Sequence, residues 1–427
     1  MRDFLFMSFI FRKFATNFTY TIMKIIQIGP YPLSPDCIHG GVEASVYGLV
    51  KELVSERVSE LGSERLANST SAQRSTLNAQ QNVIDVFDLP RIGEKDRVER
   101  YGNLTIHRYA NPGTHNKDAV LRLSEIVRDI VALRPEVCHI HGTGAISKEL
   151  YFALRHHGLP VMVTVHGLLR EEKKQALLRK PSLKTLYQYI VQSRDEHALL
   201  NAVPRVIVDT AYVEDKLKVY GLKHVPEMHV IPQGIDETFY SISCNPKSNM
   251  ILCVGAIAPR KGHIYTVEMF ERLRAKGIDA KLRIIGSLAD KAYYELLQQK
   301  ITASPYASDI SLEANLPREE LLKAYADAKL FVLHSREESQ GIVFAEAMAT
   351  GLPVAATKIG GIPYVVADGK SGLLCPYGDV DSMTEMVAKL LSDESLWQRY
   401  SVAAKEIAKN YSWIDIAERI VQLYNAI

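Results

Sequence analysis

Two glutamates eight positions apart, Glu338 and Glu346, stand on either side of Gly341 in the stretch HSREESQGIVFAEAMATGLPVAAT, His334 to Thr357. The preceding LFVLHS reads as a buried strand. After Gly341, IVFAEAMA carries apolar side chains at helical spacing, and Gly351 and Pro353 stop that helix. A helix opening near Ser339 to Gly341 points unpaired amide groups and the positive end of its dipole at an anion. Glu346 then falls about 9 Å along the axis, comparable with the step from a nucleotide's phosphates to its ribose. A carboxylate there can accept hydrogen bonds from two ribose hydroxyls. Glu338, ahead of the helix, faces whatever group the phosphate carries. A bare pair of glutamates would be two solvated helix residues. The glycine, the buried strand and the EAMATGLPV context favour a nucleotide diphosphate-sugar site instead.

Other residues fit that chemistry. GAIAPRKGH, Gly255 to His263, follows an apolar strand and carries Arg260 and Lys261. Such a loop opens at the carboxyl edge of a parallel sheet, where ligands bind. Two cations there neutralise the charge that grows on a departing diphosphate. Near the start, Gly40 and Gly41 let the backbone approach a phosphate or sugar closely. No G-x-G-x-x-G occurs at this point, so a nicotinamide or flavin site is not expected. His166, in VMVTVHGLL, ends a buried strand at the ligand edge, whereas His139 and His141 in EVCHIHG read as structural. Asp379 and Asp381 mimic a metal-binding Asp-x-Asp pair but read as a helix cap. No metal and no cofactor are expected.

The elements that must position these residues alternate. KIIQIG, NVIDVFDLP, NLTIHRYA, EVCHIHG, PVMVTVHG and VPRVIVDTA read as strands. Helical spacing marks VEASVYGLVKELVSERV, DAVLRLSEIVRDIVALRP and KELYFALRHHG. A second series starts at MILCVGAIA. Alternation of this kind predicts α/β architecture with parallel sheets covered by helices. The expected organisation is an extension over 1–22, a first domain over 23–240 and a linker over 241–249. A second domain covers 250–409, and a closing helix covers 410–427. Residues 55–81, rich in Ser, Asn and Gln, read as a polar insertion.

Composition sets bounds. The chain has 427 residues, 47% hydrophobic and 23% charged, with a net charge of +2, which points away from nucleic acid. Its five cysteines, Cys37, Cys138, Cys244, Cys253 and Cys375, lack pairing or metal spacing and fit a reducing cytosol. Arg12 and Lys13 interrupt the aromatic run at the start, leaving it too short to span a bilayer. It reads as an upstream start or a disordered extension, with a weak membrane anchor as the other option. Residues 170–184 hold Arg170, Lys173, Lys174, Arg179, Lys180 and Lys184 against Glu171 and Glu172, with leucines interleaved. That stretch is either a solvated helix or a peripheral contact with an anionic membrane. The expected location is the cytoplasm, with peripheral attachment at the inner face of the membrane as the further option.

The segment around Glu338 and Glu346 resembles the donor-site signature of the retaining glycosyltransferases of family 4, which have the GT-B fold. The resemblance runs from Met23 to the end and is densest from Ile251 to Pro376. It implies two Rossmann-like domains with parallel sheets facing across a cleft. It implies transfer of a sugar from a nucleotide diphosphate-sugar to a glycan or lipid hydroxyl with retention of configuration. Glu338, His166, Lys261 and Arg260 then take catalytic places. Gly41, Gly255, Arg260, Lys261, Glu338, Ser339, Gln340, Gly341, Ile342 and Glu346 hold the donor. Three positions depart from the family pattern: Ala256 where a basic residue is common, Gln340 where an aromatic residue or leucine is usual, and Gln233 where asparagine is usual. The alternatives are a GT-B nucleotide-sugar epimerase and a non-catalytic nucleotide-sugar-binding relative.

Overall fold

A strand covered on both faces needs apolar residues in succession rather than in alternation, and the short apolar runs of this chain supply them. In a computed structural model, which describes residues 23–34, 38, 40–55, 82–91, 93, 95–113, 116–246 and 248–427, these runs form two sheets. The expected extension at 1–22 and nearly all of the polar insertion lie outside the described residues.

The first sheet holds β1 (Lys24–Gly29), β2 (Val83–Arg91), β3 (Arg97–Tyr101), β4 (Leu104–Ala110), β5 (Val137–His141), β6 (Val161–Val165), β7 (Arg205–Val208) and β8 (Glu227–Val230). Their spatial order is β3-β4-β2-β1-β5-β6-β7-β8. A wholly parallel sheet is the expectation from sequence, and β3 is the exception. It closes the edge antiparallel to β4. RVERY is charged and mostly exposed, so no apolar period marks it. Charge on an edge strand also discourages pairing with other chains. The helix expected over DAVLRLSEIVRDIVALRP begins as a 3-10 segment, Asn116–Arg122, and turns α-helical only over Leu123–Leu133.

The second sheet holds β9 (Met250–Val254), β10 (Lys281–Gly286), β11 (Ile310–Ala314), β12 (Leu330–Leu333), β13 (Val354–Thr357) and β14 (Gly372–Cys375). Its order is β11-β10-β9-β12-β13-β14, and every pair is parallel. Ile235 and Phe239 already pack in its core. The chain therefore enters the second core ahead of the linker expected over 241–249. In each sheet the order reverses once, between β1 and β5 and between β9 and β12. Loops leaving the carboxyl ends at such a point diverge and open a crevice. One crevice receives Gly29 and His141, the other Gly255 and His334.

The closing helix, Trp413–Tyr424, returns to the first sheet. Its Trp413, Ile416, Ile420 and Tyr424 share a core with Ile25, Val46, Leu49 and Val50. This contact is close because two glycines make room for the indole. A Cβ built at Gly48 would lie 2.1 Å from the Trp413 ring nitrogen, and one at Gly234 would lie 2.5 Å from the ring. Gly48→Ala is expected to destabilise the protein by about 1–3 kcal/mol through overpacking, read as a lower urea midpoint. Gly40→Ser, where a Cβ meets nothing within 4 Å, should hold or raise it. Equal midpoints for Gly48→Ala and the parent would show that the two helices do not pack this closely.

Candidate active site

Lys261 ends a 3-10 turn, Pro259–Lys261, just past β9. Its ammonium donates to Glu338 Oε1 at 2.5 Å, and Ser335 Oγ donates to the same oxygen at 2.7 Å. Both members of this ion pair are buried. Burial would raise the Glu338 carboxyl, but Lys261 and Arg260 outweigh it and hold the group below its ordinary value. Burial pulls the Lys261 ammonium down; Glu338 opposes this and Arg260 adds to it. The Arg260 side chain is exposed, and its carbonyl accepts from the Arg336 amide at 2.7 Å. Three glycines let these loops touch. At Gly262 a Cβ would stand 2.2 Å from the His334 carbonyl oxygen. At Gly360 and Gly361 it would stand 2.2 Å and 1.8 Å from the carbonyls of Glu338 and Ser339.

The helix after Glu338 is Ile342–Thr350, with Gly341 as its N-cap at φ 81°. Left-handed backbone favours glycine there. The opening turn lies where the sequence predicts it. Across the crevice, the helix Gly41–Val54 begins at Gly41, and a Cβ there would lie 3.6 Å from Ile342 Cδ1. Two helix amino ends therefore converge, and the positive ends of both helix dipoles favour an anion between them. Glu346 sits about one turn into its helix and accepts from Tyr325 Oη at 3.0 Å. Burial pushes its carboxyl up to about 7, against the pull of Tyr325 and Arg318. Arg318 in turn pairs with Asp236 at 3.2 Å.

Gln340, the departure noted above, spans the crevice. Its amide oxygen accepts from the Gln233 backbone N–H at 2.7 Å, and its amide nitrogen donates to the Gln233 carbonyl at 2.9 Å. A single side chain thus imitates a strand edge. The Gln233 side chain donates to Asp209, and Thr210 Oγ1 donates to the Ser339 carbonyl at 2.8 Å. Gly167 faces the same segment, since a Cβ there would lie 2.7 Å from Ser339 Oγ.

His166 lies at this edge, but both ring nitrogens turn inward. Nε2 is 3.0 Å from His141 Nδ1, and Nδ1 is 3.4 Å from Asp209 Oδ2. Behind it His141 Nε2 meets Gln27 Oε1 at 2.8 Å. His139 Nδ1 meets Tyr424 Oη at 2.5 Å, and His139 Nε2 meets Thr164 Oγ1 at 2.6 Å. Burial holds His139 down to about 3 and His141 well below the usual range, so both are neutral. The ring of His166 is thus placed by its neighbours rather than aimed at the crevice.

Of the sequence-predicted residues, Lys261 and Glu338 meet directly, Gly41 meets Ile342, and Ser339 and Gln340 bind the opposite unit. Gly255 directly follows β9 beneath the Lys261 side chain, and a Cβ there would lie 3.5 Å from Lys261 Cδ. Asp379 caps the helix Val380–Ser392 by accepting from the Ser382 N–H, as the cap reading expects, while Asp381 lies in its first turn and pairs with Arg272. Asp209, Tyr325, Arg318, Gly360 and Gly361 have no place in the sequence reading. Only the paired glycines before IPYVV, and an aspartate ending the apolar run VPRVIVD, could have signalled them.

The family described as Glycosyl transferases group 1 matches residues 235–407, and Glycosyltransferase Family 4 matches residues 39–239. An alpha-maltose-1-phosphate synthase of Mycobacterium tuberculosis is 29% identical over 299 residues, 64% of this chain and 74% of the relative. A GDP-mannose-dependent alpha-(1-6)-phosphatidylinositol monomannoside mannosyltransferase of Mycolicibacterium smegmatis is 29% identical over 212 residues, 45% of this chain and 55% of the relative. The sucrose-phosphate synthase structure from Thermosynechococcus elongatus superposes with a TM-score of 0.73 at 20% identity, covering 94% of this chain and 98% of that one. The fold is therefore GT-B.

Gln340→Met keeps the length of the side chain and removes both of its hydrogen bonds to Gln233. The expected loss is about 1–3 kcal/mol, because the Gln233 backbone groups lose their partners. It is read as a lower denaturation midpoint and an increased radius of gyration in solution scattering. An unchanged midpoint and radius would show that this amide does not hold the two units together.

Proposed function

The chain belongs to the GT-B glycosyltransferases of family 4, and from that premise we propose that it moves a sugar from a nucleotide diphosphate-sugar to an acceptor hydroxyl with retention of anomeric configuration. The observation that carries this reading is the convergence of two helix amino ends beside Arg260 and the Lys261–Glu338 pair. Diphosphate fits the amide groups and the cations. The ribose fits Glu346 further along the helix, and the sugar then falls on the Glu338 side of the phosphates.

The step is a front-face substitution. The acceptor oxygen bonds to the anomeric carbon as the bond from that carbon to the phosphate oxygen breaks. The acceptor proton passes to the leaving diphosphate. The protein contributes positioning and charge stabilisation: Arg260 and Lys261 meet the growing negative charge, and Glu338 fixes Lys261. His166 serves as a positioning residue through its backbone and ring stack. No metal or cofactor is invoked. The acceptor is a glycan or a lipid-linked hydroxyl. The phosphatidylinositol monomannoside named for one relative supports the lipid option. Among the described residues no helix is long and apolar enough to cross a membrane. We propose the cytoplasm as its location, with peripheral attachment at the inner face of the membrane as the further option; the thiols of Cys138 and Cys253 are free and buried.

Arg260→Ala keeps the buried pair and is expected to slow transfer about 100-fold. Lys261→Ala slows it at least as much but also strands Glu338, destabilising the fold by about 3–5 kcal/mol. Turnover measured on folded protein separates the two effects. Unchanged turnover in both variants would refute the site. Glu346 supplies a pH test. If the ionised carboxylate binds the ribose hydroxyls, binding favours loss of a proton from a group with a raised value. Nucleotide affinity should then rise as pH increases through about 7, and Glu346→Gln should abolish that slope. Calorimetric titration of the nucleoside diphosphate across that range reads both. An equal slope in the variant would remove Glu346 from the ribose site.

A further inference from the structure

The helices Leu169–Arg179 and Leu183–Ala202 form a hairpin that begins three residues after His166. Its base is firmly held. The Glu196 carboxylate accepts from the backbone N–H groups of Leu169 and Arg170 at 2.8 Å and 3.0 Å, and from Thr143 Oγ1 at 2.7 Å. Arg170 donates to the Tyr220 carbonyl at 3.1 Å. Its tip turn is ordered as well. Ser182 Oγ accepts from the Thr185 N–H at 3.1 Å, while Thr185 Oγ1 accepts from the Ser182 N–H at 3.0 Å.

The outer part of this rigid hairpin touches no core. The first helix buries no residue, and the second buries only Asp195, Glu196, Leu199 and Leu200. Leu183, Leu186, Tyr187 and Ile190 repeat at the spacing of one helical face, and all are exposed, Leu183 at 87% and Tyr187 at 67%. Leu178 is exposed beside them. Lys174, Lys180 and Lys184 are exposed on the same hairpin and form no ion pair among the described residues. An apolar helix face bordered by unpaired lysines matches an anionic lipid surface, where leucines enter the acyl boundary and ammonium groups meet headgroups. A second copy of this chain fits poorly, because pairing the two faces would bring these lysines together.

We propose that the hairpin Leu169–Ala202 is an interfacial anchor that seats the protein on an anionic lipid bilayer. The hairpin springs from the crevice edge at His166 and Gly167, so seating its tip brings the acceptor side of the crevice to the lipid surface. The inference rests on the glycosyl-transfer reading only for the use of that placement.

Flotation of the full chain tests it. One set of vesicles is phosphatidylcholine alone, and in the other phosphatidylglycerol replaces a third of it. The protein should float with the anionic set at low salt, stay behind with the neutral set, and detach as salt rises. Leu183→Ser/Tyr187→Ser/Ile190→Ser and Lys174→Gln/Lys180→Gln/Lys184→Gln should each weaken partitioning about ten-fold or more. Both variants should keep the parent melting temperature, since these side chains support no core. Absence of flotation with anionic vesicles at low salt would overturn the anchor, as would equal flotation by either variant. So would a solution dimer that the serine variant converts to monomer without any lipid binding. Calorimetric nucleotide binding without vesicles reads the donor site independently, so failure of the anchor and failure of the transferase reading are distinguishable.

Discussion

The Lys261–Glu338 ion pair is the constraint on which the donor edge depends. Two buried charges are tolerated only when each satisfies the other with good geometry, and here Ser335 adds a further bond to the carboxylate. The pair joins the loop after β9 to the loop after β12. Those loops are neighbours because the strand order reverses between them. Their backbones can approach only because Gly262, Gly360 and Gly361 carry no Cβ. Sheet order, glycine placement and charge thus act on one spot, and Arg260 is left exposed beside it.

The same economy extends across the crevice. Gln340 bonds the Gln233 backbone, Gln233 bonds Asp209, and Asp209 faces His166. The histidine stack continues through His141 and His139 to Tyr424 on the closing helix. A helix near the carboxyl terminus therefore supports a ring on the ligand edge some two hundred and fifty positions earlier in the chain. Stability and site geometry draw on the same residues, so substitutions in this network move both together.

Most strands, the opening of the helix at Gly341 and the loop bearing Arg260 and Lys261 were legible in the sequence. Each is written in a local pattern: an apolar run, a helical spacing, a glycine at a turn. β3 was not, because an exposed charged edge has no period to read. The inward turn of His166 was not either. A histidine ending a strand looks the same in sequence whether its nitrogens face ligand or protein. Gln340 stood out only as a departure, and its partner Gln233 lies in the loop that follows β8 of the other unit.

The sequence by itself determined the two alternating series, the anion-directed helix end and the basic loop, because these depend on residues within a few positions of one another. Tertiary structure alone decided that Lys261 neutralises Glu338, that Glu346 lies against Tyr325 with its carboxyl near neutrality, and that Gln340 joins the two units. Those outcomes depend on which loops meet at the two strand-order reversals and on how much water is left there. Distance and desolvation between segments far apart in the chain leave no mark in local spacing.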